Sequence, residues 1–281
     1  MLHTTAPAVD ELIEMRGLRF HYRDWPSAGA AAPSLVLLHG FTGHARSWDA
    51  FALGMADRYR VLALDQRGHG ETAWAPADRY GVGEMTEDLV AFVAALGLAR
   101  FSLVGLSMGG MVAMDYAGRR PEALAALVIV DIGPEIVAAG SSRIQSSVKA
   151  SDVFFSREEA FAAARAANPL PPEAHHRHRV DYSLMRTADG RWTWRYDRAL
   201  RAPSNLRLRD PQAGWKSCAA IAVPTLLIRG ERSDVLSPEI AERMIETIPD
   251  ARLAIVRNAG HSVPLDAPDP FLAAAREFLK G

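Results

Sequence analysis

The sequence predicts an α/β fold: a mostly parallel sheet with helices on both faces and an inserted cap. Three observations lead there. Six short apolar runs recur along the 281 residues, each ending in glycine or a polar residue. That is how a strand buried on both faces reads. Stretches of helical character separate the runs, and this alternation implies parallel pairing through helical crossovers. The rhythm stops over residues 134–213 and then resumes.

Residues 13–25 (IEMRGLRFHYRDW) roughly alternate apolar and polar side chains, the mark of a hairpin or two edge strands. The buried runs are SLVLLHG (34–40), RVLALD (60–65), FSLVGLS (101–107), ALVIVDIG (126–133), PTLLIRG (224–230) and ARLAIVRNAG (251–260). Candidate helices lie near 44–57, 83–97, 109–119, 237–248 and 267–279. The expected organisation is a core domain, 1–133 plus 214–281, and a cap domain, 134–213. Within the cap, residues 182–197 (YSLMRTADGRWTWRYD) place an Asp-Gly turn before alternating Trp192, Trp194 and Tyr196, which predicts a small hairpin.

Hydrophobic residues make up 49% and charged residues 23%, a soluble globular balance. The formal net charge of -1 gives no electrostatic case for a nucleic-acid partner. Cys218 stands alone, so it has no partner within the chain for a disulfide, and a reducing compartment fits. The first residues lack the basic and apolar regions of a signal peptide. No apolar run approaches the roughly 20 residues that span a bilayer. The expectation is a cytoplasmic protein with no membrane partner. Over 143–209, Lys and Arg outnumber Asp and Glu 13 to 7. Either a basic cap docks on an acidic body, or it steers anionic substrates to the mouth.

The chemistry centres on Gly105-Leu106-Ser107-Met108-Gly109, a G-x-S-x-G motif between a predicted strand and a predicted helix. The glycines remove side chains where backbones would collide, and the hydroxyl projects above the sheet. A serine needs a base to take its proton. Among nine histidines, only His261, in NAGHSVPLDAP, combines a strand end, a preceding glycine and a position late in the chain. His69, in DQRGHG, reads as structural, and His175, His176 and His178 lack a carboxylate or cysteine pattern that would complete a metal site. A third residue should fix the imidazole tautomer. Asp234, closing RGERSD after a strand, is the favoured candidate; Asp131, at the end of ALVIVD, is its rival, and Glu231 lies too early in the loop. An oxyanion would need backbone donors, and Met108 and Phe41 (in HGFTGH) supply them.

HGFTG, DQRGHG, GLSMGG, RGERSD and AGH, in this order, resemble the α/β-hydrolase superfamily over nearly the whole chain. The resemblance implies eight strands, mostly parallel, with a cap after the sixth, and the chain order Ser107, Asp234, His261. Dehalogenase and epoxide-hydrolase branches use an aspartate nucleophile, which Ser107 argues against. Carbon–carbon bond hydrolases of ring-fission dienoates often carry Asn before the serine and Trp after the histidine; here Leu106 and Ser262 stand there. The branch indicated is the esterase and lactonase one, acting on a small ester or lactone through an acyl-enzyme, with no cofactor and no metal. The alternatives are a carbon–carbon bond hydrolase and a ligand receptor on the same fold. Trp192, Trp194 and Tyr196 of the cap are candidate substrate contacts, with Phe154, Phe155, Met185 and Trp215 also available.

Overall fold

The computed structural model describes residues 7–27, 32–137, 152–202, 205 and 210–280. The parts of the expected cap at 138–151, 203–204 and 206–209 lie outside the described residues.

The first hairpin is β1 (Val9–Met15) and β2 (Leu18–Trp25), paired antiparallel. Arg16 and Gly17 form its turn at φ 48° and 76°, the positive pair that matches hairpin twist. The sheet continues with β3 (Ser34–Leu38), β4 (Arg60–Leu64), β5 (Phe101–Leu106) and β6 (Leu124–Val130). Three short strands follow in the cap: β7 (Val153–Phe154), β8 (Leu184–Arg186) and β9 (Trp192–Trp194). The body resumes with β10 (Thr225–Gly230) and β11 (Ala251–Val256). Eight strands form one sheet in the order β1-β2-β4-β3-β5-β6-β10-β11, parallel from β4 onward. The eight-stranded, mostly parallel sheet that the sequence implied is present.

The continuous apolar runs have a simple cause. Successive residues of a strand point to opposite faces, and both faces here are covered. Val36, Leu38, Leu62 and Leu103 pack with Phe92 of α2 (Val82–Ala95) and Val112 of α3 (Met108–Gly118). Leu35, Leu37, Val61 and Val104 pack on the other face with Phe51 of α1 (Asp49–Met55) and with Phe271. Because β3 lies between β4 and β5, the chain winds to one side of it and then the other. Crevices form at the carboxyl ends of strands at such a switch point.

The cap carries α4 (Arg157–Ala167), α5 (Glu173–Tyr182) and the antiparallel sheet β7-β9-β8, which contains the expected hairpin. Ser156 caps α4 by accepting the Glu159 N–H. Phe154, Ala160, Val180 and Leu184 form a small core of their own. The return to the body runs through α6 (Pro211–Ala220), capped by Asp210, so the boundary expected at 213–214 falls inside a helix. The remaining helices are α7 (Pro238–Thr247), α8 (Val263–Asp266) and α9 (Pro268–Phe278). Among the described residues, no helix is long and apolar enough to cross a membrane.

The cap docks on the DQRGHG loop. The Gly70 N–H donates to Arg195 O at 3.1 Å, and the Asp197 N–H to Gly68 O at 2.7 Å. Tyr80 clamps the joint, accepting the Ala75 N–H at 2.8 Å and donating to Asp197 at 2.5 Å. Both glycines have positive φ. A Cβ on Gly70 would sit 2.1 Å from Asp65 Oδ2, so no other residue fits there.

Candidate active site

Four carboxyl-end loops converge, those following β3, β5, β6 and β11. Ser107 follows β5 at φ 52° and ψ −116°, and its N–H still donates to Val130 O at 3.0 Å. A non-glycine residue held at such angles costs about 1–3 kcal/mol and persists only where its surroundings enforce it. The glycines supply that enforcement. A Cβ on Gly105 would lie 2.3 Å from Gly109 O, and one on Gly109 would lie 2.4 Å from Leu38 O. The start of α3 therefore presses directly against the ends of β3 and β5. Thr42 and Asp131 share the positive φ, at 63° and 52°, so the site concentrates backbone strain.

His261 lies in the loop after β11, with Nε2 2.9 Å from Ser107 Oγ. Its Nδ1 is 2.8 Å from Asp131 Oδ2. With Nδ1–H donating to the carboxylate, Nε2 is left to accept the serine proton. The expectation of Asp234 on the histidine is thereby corrected. β6 ends at Val130, and Asp131 turns away from the sheet while its own N–H donates to Ile228 O at 2.8 Å. Its fully buried carboxylate then reaches across the end of β10. Oδ1 accepts the Gly230 N–H at 2.9 Å, and Oδ2 accepts the Ser233 hydroxyl. Gly230 and Ser233, not Asp234, are the residues of RGERSD that hydrogen-bond the histidine's partner. Asp234 is half-buried on the turn beyond it. Glu231 is exposed and accepts the Asn258 N–H.

Phe41 lies on the loop after β3, which passes close to the serine: a Cβ on Gly40 would come 3.2 Å from Ser107 Cβ. Met108 is the first residue of α3, and the first intrahelical bond is from the Met111 N–H to Ser107 O. Among the described residues, neither the Phe41 nor the Met108 N–H donates to a protein acceptor. Orphan donors at a helix start are where negative charge is favoured. The loop is braced from beneath by His39, whose Nδ1–H donates to Gly40 O at 2.8 Å while Nε2 accepts the Gln66 N–H at 3.0 Å. That uses both ring nitrogens of a neutral imidazole. Burial first, then the neighbouring His69, pushes its pKa down to about 3.

Asp65 anchors the same layer. It accepts from the Ala45 N–H at 2.5 Å, the Glu71 N–H at 2.9 Å and His21 Nδ1 at 2.7 Å. Burial opposes its charge, but the hydrogen bond and charge of His21 win and hold it at about 2. His69 is buried between Phe41 and Tyr196, so it joins the oxyanion-side loop to the cap, which fits its structural reading.

Ser107 and His261 open into a cavity of about 410 Å³ roofed by the cap. Its lining is largely apolar, with Met111, Ile132 and Leu265 from the body and Ala164 from the cap. Trp194 and Tyr196 line it, as expected; Trp192 does not. Trp192 lies further back along β9, beneath the guanidinium groups of Arg186 (4.4 Å) and Arg157 (5.2 Å). Of the further aromatic candidates, Phe154 packs on Trp194, Phe155 is 82% exposed, and Trp215 hydrogen-bonds Glu135. The histidine run divides: His176 faces the cavity, whereas His178 pairs with Asp49 at 3.1 Å. Arg179, Arg201 and Asn168 also line the cavity and were not singled out from the sequence. Their signal, polar residues on an inserted segment, is too general to select them.

A family model described as alpha/beta hydrolase fold matches residues 33–268. The sn-1-specific diacylglycerol lipase of Mus musculus is 31% identical over 266 residues, covering 89% of this chain and 82% of its own. The N-formylmaleamate deformylase of Pseudomonas putida is 30% identical over 277 residues, covering 95% of each. The crystal structure of an alpha/beta hydrolase from Novosphingobium aromaticivorans superposes with a TM-score of 0.86 at 28% identity, covering 98% of this chain and 99% of that one.

Proposed function

This chain belongs to the α/β-hydrolase family and is a hydrolase, and from that premise we propose a serine mechanism acting on a carboxylic ester or lactone. The observation that carries the proposal is the continuous chain Ser107 Oγ, His261 Nε2, His261 Nδ1, Asp131 Oδ2 on the floor of a cavity. In the first half-reaction Ser107 Oγ attacks the acyl carbon while its proton passes to His261 Nε2. The Phe41 and Met108 N–H groups hold the oxyanion. His261 returns the proton to the leaving alkoxide as the C–O bond breaks, leaving an acyl-Ser107 ester. Water then gives a proton to His261 and attacks the same carbon; collapse expels the acid and restores Ser107. Asp131 keeps Nδ1 protonated throughout and faces the imidazolium with negative charge. The three acceptor contacts on its carboxylate hold it in place, so the histidine does not have to find its orientation in each turnover.

Rapid mixing with a chromogenic ester tests this. A burst of alcohol with amplitude near one per enzyme, with acyl mass on the Ser107 peptide, is expected. Turnover of ring-fission dienoates with negligible turnover of esters or lactones would instead select carbon–carbon bond cleavage.

A further inference from the structure

Arg179 on α5 lines the same cavity as Ser107. Two arginines of the cap show the usual arrangement, a carboxylate partner. Arg201, also in the lining, pairs with Asp152 at 3.0 Å, and Arg177 on the same helix pairs with Glu158 at 2.9 Å. Arg179 has none. All 33 Asp and Glu residues fall among the described residues, and none forms an ion pair with it. Its hydrogen bond among the described residues is a long one, 3.4 Å from Nη2 to Thr42 Oγ1. Five donors in a fixed fork are thus held inside a cavity with one weak acceptor. A half-buried guanidinium facing a largely apolar cavity cannot escape by losing its proton, so a charged partner is favoured there. Burial pulls its pKa below the usual arginine value, and the charge of Asp266 only partly opposes this.

His176 lies one turn earlier on α5, at a spacing that puts both side chains on one helix face. Its Nδ1 is buried without a hydrogen-bond partner. Burial, followed by the charges of Arg179 and Arg165, holds the ring neutral down to about pH 4. A neutral imidazole presents one N–H. The nearby Asn168 amide, by contrast, already donates to Asp266 at 2.8 Å. Two donor groups therefore face the cavity with, among the described residues, only the long Thr42 contact to accept from them, and what completes them is an acceptor bearing negative charge.

We propose that Arg179, assisted by His176, binds a carboxylate of the substrate, so that the preferred substrates are acidic esters such as half-esters of dicarboxylic acids. This rests on the serine-hydrolase reading for the reaction but not for the binding. Arg–carboxylate pairing is planar and often bidentate, and the Arg179 fork suits it. The contact with Thr42, next to Phe41, ties the subsite to the loop beside the serine.

The test compares monomethyl with dimethyl esters of succinic, glutaric and adipic acids. Wild type should favour the half-ester in kcat/KM at least tenfold at the best spacer length. Arg179→Met should reduce that ratio at least tenfold, and Arg179→Lys should restore part of it. A wild-type ratio below twofold at all three lengths would overturn the proposal. So would an Arg179→Met variant that lowers both esters equally, the result expected if Arg179 only supports the fold or the oxyanion. Calorimetric binding to Ser107→Ala reads the subsite without turnover: the half-ester should bind at least tenfold tighter than the diester, and equal affinities refute the subsite. Tight half-ester binding with no wild-type turnover would retain the subsite and reject the ester-hydrolase reading. If Arg179→Met fails to fold, the wild-type ratios and Arg179→Lys decide the matter.

Discussion

Replacing Asp131 by asparagine separates charge and tautomer from shape. The native carboxylate accepts from three donors: His261 Nδ1–H, the Gly230 N–H and the Ser233 hydroxyl. An amide cannot satisfy the same set. If its NH2 faces His261, Nδ1 becomes an acceptor, the ring proton moves to Nε2, and Ser107 loses its base. If its oxygen faces His261, the NH2 confronts the Gly230 N–H, two donors in a fully buried site. The first arrangement is the cheaper one, because a buried unsatisfied donor costs about 1–3 kcal/mol. The tautomer then accounts for a loss of about 10⁴ in kcat, the scale known for this change in serine proteases, or roughly 5 kcal/mol of barrier. Steady-state kinetics on a chromogenic ester, with a thermal melt to establish folding, measures it. Asp234→Asn is the comparison and should lower kcat less than tenfold. An Asp234→Asn variant reduced by 10³ or more, beside an Asp131→Asn variant with over a tenth of its activity, would refute the assignment.

Gly109→Ala would place a Cβ 2.4 Å from Leu38 O and 2.7 Å from His39 O. It should destabilise by about 1–3 kcal/mol through overpacking. It should also cut kcat on the order of 10²-fold, because the serine and the Phe41 loop move apart; a melt and a rate constant check both. The buried imidazoles make folding sensitive to acid. Burial holds His39 near 3, and His44 and His69 near 4. The unfolded chain takes up these protons below about 6.5 while the native state does not, so stability falls on acidification. The loss begins near pH 6.5, ends near 4 for His44 and His69 and near 3 for His39, and approaches roughly 1 kcal/mol per pH unit for each ring. Asp65, held at about 2, adds a further loss between about pH 4 and 2. Urea midpoints measured from pH 7 to 4 should decline steadily, and a flat profile would contradict the neutral, buried rings.

The body was legible because its signals are local. Each apolar run needs cover on both faces, and strand ends, glycines and Ser107 stand where a strained turn demands them. Asp131 and Asp234 could not be separated on those grounds, since each follows a strand that ends at the same edge of the sheet. The decision lies in a φ of 52° at Asp131 and in Ser233 lending its hydroxyl, both consequences of tertiary packing. The cap is harder for the same reason. Trp192 and Trp194 have the same periodicity, yet Trp194 faces the cavity while Trp192 lies under two arginines. DQRGHG looked like a loop with a structural histidine; its use as the ledge on which the cap docks depends on pairing with residues 195–197, about 130 positions away.

Covalent labelling tests the central claim most directly. A fluorophosphonate incubated with the folded protein, followed by proteolysis and mass spectrometry, should modify Ser107 stoichiometrically. Labelling should be abolished in Ser107→Ala and strongly slowed in Asp131→Asn. Folded wild type that leaves Ser107 unmodified, or that carries the label on another serine, would contradict the account.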